Sequence, residues 1–572
     1  MVHRDVAVPM RDGTVLSADV WRPAGGEDCP VLLQRLPYDR TDPSVAVAQA
    51  GLDPLRAVDA GYAVVIQDCR GRFGSEGRFE PFSNEARDGA DTVAWCAALP
   101  FSSGAVGMYG QSYFGATQLL AATERPPALR AIAPALTGSE YFEGWTYRGG
   151  VLELGFVLFW TLFSLAGAEI ERLPNGTQAS LREALDRRLA DPWSTFAALP
   201  VDRLDDLAPV VPFVAEWLSH ADRDEFWRAI APNERYGAIA TPALHIGGWF
   251  DPFLSGTLEN FARLRREAGD ARARDNQRLV IGPWSHACLG DTIGDRYFGP
   301  TASQAATDWT ALHLSWFDRH LRGVGPADAG PVVRFFLMGA DRWVDAGAWP
   351  PEGTRVERWF LHGRGAANSR HGDGVLSRDA CDLDEPVDSF TYDPADPVPT
   401  AGGATFLPGI FVAAQAGPRD QRHVEDRRDV LVYTSEPLAG DLDVVGAVRV
   451  TLAASSSSQE TDFSAKLVDV HPDGRALLVC DGIRAVVAPD PGQALEVDLG
   501  ATAIRFLAGH RIRLEVSSSN FPRFARHPNT TVPRLQASPA EMVPALQHVH
   551  HDAEHPSFLS LPVWPSAAAG GA

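Results

Sequence analysis

The stretch "GMYGQSYFGATQLLAA", residues 107–122, places one serine, Ser112, between a β-type run and an apolar, alanine-rich run. Gly110 stands two residues before it and Gly115 three after. Two readings meet here. A serine at a helix entrance is commonly an N-cap, its hydroxyl accepting from first-turn N–H groups. A serine on a sharp strand-to-helix turn between small residues is the arrangement of a nucleophile elbow. The second glycine sits one place later than G-x-S-x-G requires, so the stretch alone leaves both readings open.

Working outward, the first 137 residues alternate strand and helix signals. "RDVAVPM" and "VLSADVWRP" flank the turn "RDG" and read as a hairpin. "PVLLQRLPY" and "YAVVIQDCRG" are short apolar runs of the buried-strand type. "NEARDGADTVAWCAAL" has helical periodicity, and "ALRAIAPAL" reads as the strand after Ser112. This rhythm predicts a mostly parallel sheet with helices on both faces, an α/β fold. Strand signals vanish over 138–240, where charged helical stretches such as "SLREALDRRLADPW" predict a helical cap insertion. The α/β rhythm returns over 241–325 with "TPALHIGGWFD" and "QRLVIGPWSH". From 326 to 572, short β-rich runs between Gly, Pro and Asp predict an all-β domain of sandwich or jelly-roll type. The tail "AAAGGA" reads as disordered.

Composition narrows the function classes. The chain has 572 residues and a formal net charge of −22, which sets it against phosphate-rich partners: neither nucleic acid nor a membrane surface is expected. The six cysteines are scattered without a CxxC pair, so reduced structural thiols are expected, with no disulfide framework and no metal site. The N-terminus lacks an apolar signal-peptide core, and a cytoplasmic location is expected. "VLELGFVLFWTLFSLAGAEI" is long enough to span a membrane. It carries Glu153, and it reads better as a buried or cap helix.

Two more residues give Ser112 its context. Asp251 follows "ALHIGGWF", and His286 follows "RLVIGPWS", each at the carboxyl end of an expected strand. Open α/β sheets place their sites there. Taken singly, Asp251 is equally a helix cap and His286 a loop histidine. Together, the order Ser–Asp–His is that of an α/β-hydrolase. A serine hydroxyl needs a base to accept its proton. Histidine does this near neutral pH, and a carboxylate sets its tautomer.

At this point the chain resembles the cocaine-esterase-like serine hydrolases, a family that also contains X-Pro dipeptidyl-peptidases and α-amino-acid ester hydrolases. The matching stretches are "RLPYDR", "GYAVVIQDCRGRFGSEG", "GQSYFGATQ", "GGWFDPF" and "GPWSH", continuing with "FDRHLRG", "YDPADPVP", "TDFSAKLVDVHPDGRA" and "SSSNFPR". The resemblance implies an α/β-hydrolase domain, an inserted helical cap and a C-terminal jelly roll. It implies Ser112 as nucleophile, Asp251 as acid and His286 as base. It implies an oxyanion hole from the Tyr38 hydroxyl and the Tyr113 backbone N–H. For the substrate pocket it suggests Trp145, Trp160, Phe253, Phe406 and Leu407, which by composition alone would be ordinary core. It implies no cofactor, and a homodimer is compatible with it.

The implied activity is cleavage of carboxylic esters, with aromatic or hydrophobic acyl groups suited to an aromatic pocket. The alternative is an X-Pro dipeptidyl-peptidase or amide-cleaving acylase with the same triad. A scaffold whose β-domain binds a glycan or a protein is a third reading. Asp251 is followed by Pro252, Phe253 and Leu254, where α-amino-acid ester hydrolases carry acidic residues, which counts against recognition of a free α-amino group. "CRGRFGSEG" lacks the G-x-G-x-x-G pattern and a Walker lysine and reads as a loop-shaping segment. "QHVHHDAEHP" reads as a polar, exposed edge or loop of the β-domain.

Overall fold

A computed structural model describes residues 1–46, 51–201, 203–204, 206–325, 330–382, 384–407 and 416–565. The tail expected to be disordered lies outside them.

The first sheet has ten strands in the order β1-β2-β4-β3-β5-β6-β9-β10-β13-β14. The hairpin β1 (Val2–Pro9) and β2 (Val15–Trp21) forms one antiparallel edge. β3 (Cys29–Leu36), β4 (Ala63–Asp68), β5 (Ser102–Gln111) and β6 (Leu129–Ala135) follow as parallel neighbours. Every residue of β3 and β4 is buried, as expected for strands covered on both faces. The helix Tyr113–Thr123 after β5 is buried at all eleven positions. An all-round apolar helix must lie inside the protein, and here it packs between the sheet and the helix Glu85–Ala97.

The insertion after β6 holds the expected helices and also a two-stranded ribbon, β7 (Tyr147–Arg148) and β8 (Val151–Leu152). The apolar run that could have spanned a membrane is Leu154–Glu171, and 61% of it is buried inside the protein. It passes through a π-helical turn at Trp160–Ala166, a device common at functional sites. β9 (Ala243–Phe250) and β10 (Gln277–Ser285) then rejoin the first sheet in parallel, and β11 (Thr292–Ile293) with β12 (Arg296–Tyr297) makes a small ribbon.

One strand pair of the segment 326–572 joins the first sheet. "VVRFFLMG", assigned above to the β-domain that starts at 326, forms β13 (Val333–Leu337), which pairs in parallel with β10; β14 (Arg342–Ala346) closes that edge. A short β-branched and aromatic run fits a central parallel strand as well as a sandwich strand, and pairing alone separates them.

The second sheet begins with β15 (Arg355–His362) and β16 (Val375–Ser377). It continues through β17 (Asp388–Tyr392), β18 (Leu431–Thr434), β19 (Leu442–Ser456), β20 (Glu460–Val470) and β21 (Ala476–Val487). It ends with β22 (Ala494–Phe506), β23 (Arg511–Ser517), β24 (Ala545–His550) and β25 (Phe558–Val563). The eleven strands form one sheet of antiparallel pairs, apart from the parallel contact of β16 with β18. β19 is its spine, pairing with β22 as well as with β24 and β25. The expectation for "QHVHHDAEHP" is corrected in part: β24 lies between β17 and β19 and His551 is fully buried between Glu385 and Asp388, while residues 551–556 form a loop in which Ala553 and Glu554 are exposed.

Burial leaves several histidines uncharged. Desolvation pushes His245 and His313 down to about 4. An unfolded histidine titrates near 6.5, so the unfolded chain binds more protons between those values, and stability falls as pH drops. The thermal midpoint is expected to fall progressively from pH 6.5 towards 4, each such histidine contributing about 1.4 kcal/mol per pH unit inside that window. Thermal melts at stepped pH, with His313→Gln showing a shallower decline than the parent chain, check this.

Candidate active site

Ser112 stands alone between β5 and the helix Tyr113–Thr123, with φ 59° and ψ −127°. A non-glycine residue held there is strained, and such residues concentrate at functional sites. Its side chain makes no capping hydrogen bond, so the N-cap reading fails. The two glycines now have reasons. Gly110 has φ +127°, and a Cβ on it would lie 2.6 Å from the Phe114 Cβ. A Cβ on Gly115 would meet Thr137 Cβ at 2.7 Å and Cγ2 at 2.8 Å, because the helix runs tightly past the end of β6. The displaced glycine serves this helix contact.

Asp251 follows β9 and His286 follows β10, so both come to the same carboxyl edge as Ser112. His286 Nε2 lies 2.9 Å from Ser112 Oγ, and its Nδ1 lies 2.8 Å from Asp251 Oδ1. The carboxylate bond fixes the tautomer with the proton on Nδ1, leaving Nε2 as an acceptor for the serine proton. Asp251 is completely buried and His286 nearly so, while Ser112 is half-buried at the cavity floor. The rings of Phe253 and Phe406 stand edge-on to the imidazole, with centroids 5.0 and 4.8 Å away.

Above Ser112 opens a cavity of about 800 Å³. A larger, shallower groove of about 1020 Å³ lies on the β-domain beside Ser369, Asp373 and Arg427, and none of the hydrogen-bonded trio lines it. Tyr38 lines the Ser112 cavity, in the turn after β3. Its hydroxyl accepts from Trp160 Nε1 at 2.7 Å, and burial pushes its pKa up to about 12, so it stays a donor. Tyr113 is the first residue of its helix, where the N–H has no intrahelical acceptor. Its side chain points away: the hydroxyl donates to Glu85 at 3.0 Å and accepts from Phe82 N at 2.9 Å.

Of the five suggested pocket residues, Trp160 and Phe406 line the cavity, together with Phe156 and Phe163. Trp145, Phe253 and Leu407 do not; they are buried behind its wall, with Trp145 stacked on Phe253 at 4.0 Å. An aromatic residue near a catalytic segment supports the wall as readily as it forms it, and only packing depth tells which.

Several contributors escape sequence reading. Gln111 lines the cavity beside Ser112, and among the described residues no protein donor reaches its Oε1. Asp39 and Asp42 also line it, each engaged locally, by Thr41 and Ser44. The D-x-T and D-x-S spacing signals those loop turns, not their place at the site. Arg72, in the loop-shaping "CRGRFGSEG", is fully buried; it donates to Pro37 O at 2.6 Å and pairs with Glu169 of the cap. It thereby holds the peptide next to Tyr38. Arg35 bonds Glu85 at 2.7 Å and Gln67 at 2.7 Å, anchoring the group that holds Tyr113.

Two groups of side chains bring metal-ligand atom types together among the described residues: His362, Cys381 and Glu385; and Asp469, His471 and His510. Both lie in the β-domain. His362 bonds Glu385 at 2.7 Å and His510 bonds Asp469 at 2.8 Å, so each group holds internal hydrogen bonds.

Known proteins resemble this chain over most of its length. The profile of X-Pro dipeptidyl-peptidase (S15 family) matches residues 12–288, and that of the X-Pro dipeptidyl-peptidase C-terminal non-catalytic domain matches residues 326–560. The chain is 40% identical to cocaine esterase of Rhodococcus sp. (strain MB1 Bresler), covering 98% of each chain. Among solved structures it resembles an α-amino acid ester hydrolase (TM-score 0.79, 26% identity, 99% and 96% covered). It also resembles an aminopeptidase from a marine sediment Thaumarchaeota archaeon (TM-score 0.81, 25% identity, 98% and 96% covered).

The packing at Gly115 is directly testable. Gly115→Ala forces a methyl group against Thr137 and is expected to destabilise the chain by about 1–3 kcal/mol, the range for overpacking. Urea unfolding of the variant, read against the parent chain, measures it.

Proposed function

The chain belongs to the serine hydrolase family of cocaine esterase and the X-Pro dipeptidyl-peptidases, and from that membership we propose how its residues cleave a carboxylic ester. The observation that carries the reading is the continuous relay from Ser112 Oγ through His286 to Asp251, 2.9 and 2.8 Å. Ser112 Oγ attacks the ester carbonyl while its proton passes to His286 Nε2. Asp251 stabilises the imidazolium. The carbonyl oxygen becomes an oxyanion held by the Tyr38 hydroxyl and the Tyr113 N–H. Collapse breaks the bond to the alcohol oxygen, which takes the proton from His286 and leaves. A water then delivers its proton to His286 and attacks the acyl-enzyme, and the acid departs as Ser112 regains its proton.

The cavity wall supports a hydrophobic or aromatic acyl group. Trp160, Phe156 and Phe406 give it flat apolar faces. Gln111 and the Tyr38 hydroxyl are polar groups near the reacting carbon. Esters are favoured over X-Pro peptides because no acidic residue follows Asp251 at 252–254, and because Asp39 and Asp42 are engaged in their own turns.

A fluorophosphonate probe is expected to label Ser112 in the folded chain and to leave Ser112→Ala unlabelled, read by peptide mass mapping; a folded parent chain that takes no label would remove the hydrolase reading. Tyr38→Phe is expected to lose about 10²–10³-fold in kcat if its hydroxyl supports the oxyanion, by analogy with single-donor deletions. A loss under about threefold would return Tyr38 to a packing role. Turnover of p-nitrophenyl acyl esters is expected to exceed that of X-Pro-p-nitroanilides, and the reverse order would favour the peptidase alternative.

A further inference from the structure

Asp251 offers one oxygen to His286. The other, Oδ2, is buried, and among the described residues no protein donor reaches it. The carboxylate therefore depends on its backbone for orientation more than one gripped at both oxygens would. That backbone is the short segment between β9 and the helix Leu254–Glu267. Behind it lies a small cavity of about 30 Å³, lined by Asp251, Pro252, Arg148, Arg523 and Asp481. A carboxylate beside free volume has room to turn if its segment relaxes.

One side chain grips this segment from outside the first sheet. Arg148, on the cap ribbon strand β7, donates from Nη2 to the Pro252 carbonyl at 2.7 Å. Its Nε bonds Glu153 at 2.9 Å. Glu153 in turn meets Arg523 of the β-domain through two bonds of 3.3 Å. Arg523 reaches Asp481 on β21 at 2.6 Å, and Asp481 also accepts from Asn520 at 2.9 Å. The side chains of Glu153, Arg523 and Asp481 are 3%, 1% and 1% exposed, so the chain of charges is buried across the contact between cap and β-domain. Buried ion pairs rarely add stability over a well-packed apolar replacement, because desolvation offsets their attraction. Their distinctive property is direction: Glu153, fixed by Arg523, holds Arg148 at Nε, and a guanidinium held there can aim its remaining N–H groups at one carbonyl.

We propose that Arg148, aimed by the buried Glu153–Arg523–Asp481 chain, is a positioning residue for Asp251, so that the β-domain takes part in setting the triad geometry. It acts through Pro252 and touches no reacting atom. The proposal rests on the triad reading given above. A misplacement of about 1 Å in such a group can cost up to about 10²-fold in rate without weakening binding.

The test compares the full-length parent chain with Arg148→Met, Arg148→Lys and Asp481→Asn, using p-nitrophenyl butyrate. Active sites are counted by fluorophosphonate titration, so that unfolded material does not count as lost rate. Arg148→Met is expected to lower kcat per active site at least tenfold with KM within about twofold. Arg148→Lys, whose ammonium can still donate to Pro252 O or Glu153, is expected to recover part of the loss. Asp481→Asn, made in the β-domain, is expected to lower kcat in the same direction by a smaller factor, and it carries the test alone should Arg148→Met not fold. A kcat per active site within twofold of the parent in the folded variants would overturn the proposal, as would a loss carried by KM. Failure of the probe to label Ser112 in the parent chain is a different result, and it would remove the triad reading itself.

Discussion

The turn at Ser112 is the constraint on which the site depends. Its φ and ψ are of a kind that costs on the order of 1–3 kcal/mol and persists only where the surroundings over-determine it. They do so here. Ser112 N–H donates to Ala135 O on β6 at 2.9 Å. Gln118, one helical turn and a half further on, donates to the Gly110 carbonyl at 3.0 Å and accepts from Ala133 N at 2.9 Å, tying both sides of the turn to the sheet. Tyr113 is anchored through Glu85 to Arg35, and Gly115 lets the helix lie against Thr137. The helix cannot slide, so the serine cannot relax.

The rest of the machinery is assembled around that fixed point from three parts of the chain. The first sheet contributes the relay. The cap contributes Trp160, which bonds Tyr38 from a π-helical turn, and Glu169, which pairs with Arg72 beside the same tyrosine turn. The segment after 400 contributes Phe406, whose ring edge meets the imidazole. Enclosure by these apolar groups lowers the local dielectric, which strengthens every charge–dipole interaction around Ser112 and His286.

The differences between sequence expectation and structure share a cause. Strand patterns show that a segment is extended and apolar, not which partner it will find, so residues 333–346 join the first sheet although their composition matches the second. Histidines in a run look exposed because they are polar, yet His551 is buried beside two carboxylates that are distant in sequence, Glu385 and Asp388. Trp145, Phe253 and Leu407 look like pocket wall because they neighbour the site in sequence or family position, yet they support the wall from behind. In each case the deciding contact lies far along the chain.

What the sequence determined by itself was local. Buried-strand runs, an all-apolar helix after Ser112 and an aspartate and a histidine after successive strands marked an α/β-hydrolase fold and put forward Ser112, Asp251 and His286, which the fold brings within hydrogen-bond reach of one another. Those features follow from short-range rules of backbone conformation and hydrophobic pattern. Tertiary structure alone decided the rest: that Gly115 is displaced because Thr137 lies beneath the helix, that Arg72 holds the turn of Tyr38, and that Glu153, one of two charges in an apolar run, meets Arg523 370 residues away. A charge can be buried only where a partner waits, and where the partner waits is settled by the packing of the whole chain.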